Sequence, residues 1–148
     1  MLTNDRSALS AVKEPTQLFR RFSQTRGVWL SSPSTLSTAS IQLMRSSRFA
    51  GMQLDVLTYA ELPVIPFWRY DLIVLEKVRG QAMPALVASI KRVRTLSRAP
   101  LVVLMRSVAP EATIAGLNAG ADAVTSLLAS EQVLLAHWCA MLKRWKAV

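Results

Sequence analysis

Cysteine, histidine and long apolar runs are all scarce in this chain, and each scarcity removes a class of function. Cys139 is the single cysteine, so no internal disulfide can form. It lies in a helix-like segment with no Cys-x-x-Cys or His-Asp context, and reads as a structural residue of a reducing cytoplasm. His137 is the only histidine, which excludes a metal site or a His–Cys relay built from several imidazoles and leaves a partly exposed helix residue. No glycine-rich phosphate loop is present, and neither a cofactor nor a resident metal is expected. No apolar run reaches the ~18 residues of a membrane span. The longest candidates are broken by Pro63, Pro66 and Arg69, or by Arg106 and Pro110. The N-terminal stretch lacks the apolar core of a secretory signal, and Asp5 and Glu14 argue against a transit peptide.

What the chain does have is apolar content and positive charge. Its 148 residues are 51% hydrophobic, enough for one domain with a sizeable core. Eighteen basic against nine acidic residues give a net charge of +9, which suits an anionic partner such as an acidic protein surface, nucleic acid or a lipid headgroup layer. Residues 1–25, punctuated by Asn4, Ser7, Ser10, Pro15, Thr16 and Ser23, read as a flexible N-terminal extension. Leu18, Phe19 and Phe22 could form one apolar edge of a short helix there. Residues 26–148 read as the folded domain.

Within that domain apolar strands alternate with helical patterns. Val28-Trp29-Leu30 is a short buried strand, and the stretch Ser31-Ser32-Pro33-Ser34 offers capping oxygens and a first-turn proline for a helix reaching Phe49. Gln53 to Tyr59 is the second strand. Only Ala60 to Tyr70 connects it to the third, and Pro63 and Pro66 interrupt that connection. A full crossover helix is therefore short or missing, with Phe67 and Trp68 expected to pack over the sheet. Asp71-Leu-Ile-Val-Leu-Glu76 is continuously apolar between two acids, the pattern of a central parallel strand. A helix from Pro84 to Ser97 follows, with Ala85, Leu86, Ile90, Val93 and Leu96 facing inward. Then come a strand at 101–105, a short helix opened by Pro110, a strand at 121–126, and a last helix capped by Ser130. The fold class is α/β: a five-stranded parallel sheet of flavodoxin-like order 2-1-3-4-5.

The segment from Pro100 to Met105 and the run Gly116-Leu-Asn-Ala-Gly-Ala-Asp-Ala-Val124 resemble the second half of a response-regulator receiver (CheY-like) domain. Asp71 to Glu76 is similar to that family's phosphoacceptor strand, and the likeness extends over residues 26–146. It implies a phosphorylation pocket. An acid pair would hold Mg²⁺, an Asp would act as nucleophile, and a hydroxyl residue and a Lys would contact the phosphoryl group. Those places fall on Ser31 and Ser32, on Glu76, on Met105 and on Leu127. Val124 stands at the switch-aromatic position. The resemblance thus implies a vestigial pocket, not an enzyme. Two serines and one Glu are a poor Mg²⁺ site, and Met105 and Leu127 would make the pocket apolar and hostile to an anion. Glu76 itself has two readings: a mimic of the phosphorylated acceptor, or a solvated carboxylate paired with Lys77 or Arg106. The missing sensing partners favour the second.

In this fold the helices end at the rim opposite the pocket. Arg45, Arg48, Lys91, Arg92, Arg94, Arg98, Lys143, Arg144 and Lys146 therefore gather there with Arg26. Asp55, Asp71 and Asp122 offset part of that charge. Some of these cations merely suit the helix macrodipoles; together they suggest a surface for an acidic partner. Leu135, Trp138, Leu142 and Trp145 mark the last helix, either as core packing or as a dimer or partner contact. The expected function is a stand-alone, non-catalytic pseudo-receiver working through protein–protein contact. The alternative is a basic adaptor or transcription-related protein that binds nucleic acid.

Overall fold

The computed structural model describes residues 21–147 apart from 33 and 35, with only the backbone of residue 147. The extension before Arg21 and the first-turn Pro33 lie outside the described residues. In chain order the elements are β1 (Arg26–Ser31), α1 (Thr38–Phe49), β2 (Gln53–Thr58), two 3-10 turns (Tyr59–Val64 and Phe67–Arg69), β3 (Leu72–Glu76), α2 (Met83–Leu96), β4 (Leu101–Met105), α3 (Pro110–Ala119), β5 (Ala123–Ser126) and α4 (Glu131–Ala147). The strands are parallel and ordered β2-β1-β3-β4-β5, as the apolar pattern predicts. Among the described residues no helix is long and apolar enough to cross a membrane.

Strand alternation divides the core into two layers. Val28, Leu30, Ile73, Leu75, Leu101, Val103 and Met105 face α2, α3 and the 3-10 turns. Trp29, Leu72, Val74, Val102 and Leu104 face α1 and α4, where Leu43, Met44, Leu134, Leu135, Trp138 and Leu142 cover them. The packed unit begins earlier than residue 26. Phe22 is fully buried in the α1/α4 layer, and its N–H donates to the Ala50 carbonyl at 2.9 Å.

Local chemistry sets the element ends, not always where the sequence suggests. Helix α1 is capped by Ser37, whose hydroxyl accepts the Ser40 N–H at 3.1 Å; of the serines expected to cap it, Ser31 instead ends β1. Leu86, Ile90 and Val93 form the buried stripe of α2. Ala85 and Leu96, expected on that face, are exposed, because at 100° per residue they stand roughly 80–100° off the stripe. The short connection carries Phe67 inward, but Trp68 is 77% exposed, with the Arg69 guanidinium 5.1 Å over its ring. In so tight a turn adjacent side chains diverge, and only one can face the sheet.

Tyr70, just before β3, ties this corner to β2: its phenol donates to Asp55 Oδ2 at 2.6 Å. Burial first, then the carboxylate acceptor, raises its pKa from 10.0 to about 12. The unfolded chain therefore loses this proton first. The stability Tyr70 contributes is complete below pH 10.0 and is lost as pH rises through about 12. Urea titrations between those two values should show a falling midpoint, and Tyr70→Phe should flatten that fall.

Candidate functional site

The carboxyl ends of β1 and β3 lie side by side, with Leu30 paired to Leu75, so Ser31 and Glu76 are neighbours. Parity turns both toward the α1/α4 layer, together with Trp29. Glu76 is 6% exposed. Its Oε1 accepts from Trp29 Nε1 at 2.9 Å and from Ser31 Oγ at 3.0 Å, while Oε2 accepts from Ser40 Oγ at 2.8 Å. Ser40 Oγ lies 2.9 Å from the hydroxyl of Ser37, which connects the carboxylate to the cap of α1. Tyr59 donates its phenol proton to the Glu76 carbonyl at 2.7 Å. Burial, chiefly, pushes the Tyr59 pKa well above the ordinary phenol range; the Gln81 side chain opposes this and the charge of Glu76 adds to it. Beyond Glu76, Trp29 meets Trp138 edge-to-face, with ring centroids 6.2 Å apart.

This arrangement corrects the expectation of a solvated Glu76 paired with Lys77 or Arg106. The carboxylate is buried, and all three of its side-chain donors are neutral. Among the described residues the one salt bridge is Arg94–Asp122, at 2.6 Å. Ser32, predicted beside Ser31 in the pocket, is half-buried with its Oγ 3.2 Å from Ser34 Oγ. Leu127 is packed in the α1/α4 layer, on the other side of the sheet from Met105. Val124, at the switch-aromatic position, is half-buried against α3. The approach is close: a Cβ on Gly116 would lie 2.6 Å from Val124 Cγ2.

Above the strand ends opens a cleft of about 780 Å³, lined by Lys77, Arg79 and Arg106 together with Leu36, Val78, Met83 and Met105. Met105 lines it as expected; Leu127 does not. The pocket is therefore cationic at its rim, where the sequence pointed to an apolar one. The Mg²⁺ that the fold family implies does not fit these residues. Its octahedral oxygen shell needs carboxylates; both oxygens of Glu76 are occupied, and cations line the surroundings. Among the described residues no group of three His, Cys, Asp or Glu could hold a metal.

The other predicted surfaces sort by burial. Arg94 is a fold-holding residue, half-buried: it donates to the carbonyls of Gly120 at 2.7 Å and Ala99 at 2.8 Å and pairs with Asp122. Arg48 donates to the Leu54 carbonyl at 2.8 Å. Arg45, Lys91, Arg92, Arg98, Lys143, Arg144 and Lys146 are exposed. On α4, Leu135, Trp138 and Leu142 are buried, which removes them as a contact surface; Trp145 alone of the four is partly exposed, at 38%. The arc of α4 is wide because it covers Trp29 and Phe22 as well as the sheet. Exposed apolar residues lie instead at Ile114, Leu117, Leu128 and Val133.

No family model and no curated protein matches this sequence. Solved structures match its fold. A two-component response regulator from Clostridium difficile superposes with a TM-score of 0.68 at 20% identity, covering 81% of this chain and 97% of that one. An orphan response regulator of H. pylori gives 0.60 at 19% identity, covering 80% and 96%. An atypical orphan response regulator, described as revealing a phosphorylation-independent regulatory mechanism, gives 0.61 at 18% identity, covering 82% and 98%. The fold is that of a response-regulator receiver (CheY-like) domain.

Glu76→Ala would leave the Trp29, Ser31 and Ser40 donors buried without their acceptor, and should lower unfolding free energy by on the order of 3 kcal/mol in urea titrations. In the native protein the Trp29 indole N–H should exchange with solvent far more slowly than that of the exposed Trp68.

Proposed function

We propose that this chain is a pseudo-receiver: a non-catalytic regulatory module that acts by protein–protein contact and is not switched by aspartyl phosphorylation. One observation carries the reading. The side chain at the acceptor position, Glu76, has both carboxylate oxygens turned inward and bound to Trp29, Ser31 and Ser40. A carboxylate held this way has three of its roughly four lone-pair sites engaged by donors inside the fold, which leaves it a poorly presented nucleophile for an incoming phosphoryl group. Ser31 and Ser32 supply no carboxylate for a metal, and neither Met105 nor Leu127 can assist transfer. The likeness of fold to an orphan regulator described as phosphorylation-independent supports the same reading.

The folded module in this proposal runs from about Phe22 to the end of α4, with residues 1–20 as its extension. Its partner is a protein with an acidic face, received at the rim where the exposed cations Arg45, Lys91, Arg92, Arg98, Lys143, Arg144 and Lys146 gather at helix C-termini. The single cysteine suits a cytoplasmic setting. Steeply salt-dependent binding to arbitrary duplex DNA would replace the protein partner by nucleic acid.

Incubation with acetyl phosphate and Mg²⁺ should leave the intact mass unchanged. It should stay unchanged in Glu76→Asp as well, because restoring the acceptor type restores neither the metal ligands nor the lysine. A phosphoryl adduct on Glu76 in the wild-type chain would overturn the proposal.

A further inference from the structure

Three cations surround the cleft above β3 and β4, and nothing among the described residues neutralises them. Lys77 is half-buried, Arg79 and Arg106 are exposed, and none of the three forms a salt bridge with another described residue. The only carboxylate among the lining residues is Glu76. Its oxygens are directed away into the core, toward Trp29, Ser31 and Ser40. An acid so placed spends its hydrogen-bonding capacity inside the fold, and the cations above it keep theirs for a ligand. Two of the three are guanidinium groups, whose planar forks match the oxygens of phosphate esters and carboxylates.

The backbone adds to this charge. Helices α2 and α3 both begin at the cleft, where Met83 and Ala109 line it, and their caps are Ala82 and Ala109, without a side-chain acceptor. The positive end of α2, whose first turn holds no acid, therefore reinforces the lysine and arginines, whereas Glu111 in the first turn of α3 offsets that helix end. The floor is apolar, made by Met83 and Met105, and the volume of about 780 Å³ falls in the ordinary range for small-ligand pockets.

We infer that this cleft reversibly binds a small phosphomonoester with an apolar body. The dianionic head meets Lys77, Arg79 and Arg106, and the body lies over Met83 and Met105. No metal bridges the contact and no bond to Glu76 forms. The site lies beside the mouth of the α1–Glu76 network, since Ser37 and Thr38 line the same cleft. Occupancy is thus placed to act on the end of α1, and it gives the module an input that is bound and released rather than transferred.

The test uses the full chain and three probes in isothermal titration calorimetry: phenyl phosphate, inorganic phosphate and phenol. Phenyl phosphate should bind with Kd on the order of 1 mM or tighter, and more tightly than either of the other two. Arg106→Ala and Arg79→Ala should each weaken it by roughly tenfold, whereas Lys91→Ala, at the opposite rim, should leave it unchanged. Both arginines are exposed, so their loss leaves the core intact. No heat of binding with phenyl phosphate would overturn the inference, as would binding that Lys91→Ala weakens as much as Arg106→Ala, the mark of nonspecific attraction to a basic protein. Dialysis must also return the free mass. A covalent adduct would overturn the phosphorylation-independent reading, whereas absence of reversible binding would overturn only the site proposed here.

Discussion

The carboxylate of Glu76 ties the central strand to β1 and to the start of α1. It ends the central strand, accepts the indole N–H of Trp29 and the hydroxyl of Ser31 on β1, and through Ser40 reaches the cap of α1. Through the ring of Trp29 it also stands one contact from Trp138 on α4. A buried acid without partners would be strongly disfavoured. Here the neighbours are the partners, and each of them is in turn fixed by the acid. The interlocking explains why a glutamate can occupy the end of the central strand without a salt bridge to any described residue.

The same arrangement separates the charge of the chain into two populations. Arg94 and Arg48 serve the fold: Arg94 bridges the carbonyls of Ala99 and Gly120, and Arg48 holds that of Leu54 in β2. The remaining described cations near helix C-termini are exposed, and their positions follow from topology: in a parallel α/β sheet every helix returns to the same rim, so such cations collect there. At the opposite rim, Lys77, Arg79 and Arg106 sit on the loops after β3 and β4, where open sheets of this kind ordinarily receive ligands. A receiver fold thus carries basic surfaces at both ends, with different geometry: a broad exposed rim below and a concave cleft above.

Much of the fold was legible because hydrophobic periodicity states it directly. The continuous apolar runs at 72–75 and 101–105 gave the central strands, and the two prolines in the connection after β2 excluded a full crossover helix there. The site was legible only in position. Residue order located Glu76, Ser31 and Met105, but the direction of Glu76 depends on parity and on three donors far from it in the chain. One signal was available: Trp29 and Ser31 are two apart on β1, so they share a face, and β1 must neighbour β3 in the 2-1-3-4-5 order. Ser40 gave no such signal, since its reach depends on where α1 starts, and that start was misplaced by several residues. Leu127 and the α4 residues were misassigned because an apolar residue near a site or on a wide helical arc looks the same in sequence whether it faces the cleft, a partner or the core. Phe22 was read with Leu18 and Phe19 as the apolar edge of a helix in the extension, because nothing local shows that it packs beneath α1 and α4.

The replacement of a full crossover helix by two 3-10 turns has a consequence for how the chain reaches this structure. The excursion from Thr58 to Leu72 must still pass over β1, but it does so on a short tether stiffened by Pro63 and Pro66. Closing a shorter loop costs less chain entropy, and prolines lower that cost further by narrowing the unfolded ensemble. Of the four strand connections this one is the shortest, and it therefore costs the least chain entropy to close. Trp68, held outward on that tether, stands on the solvent side of the crossing.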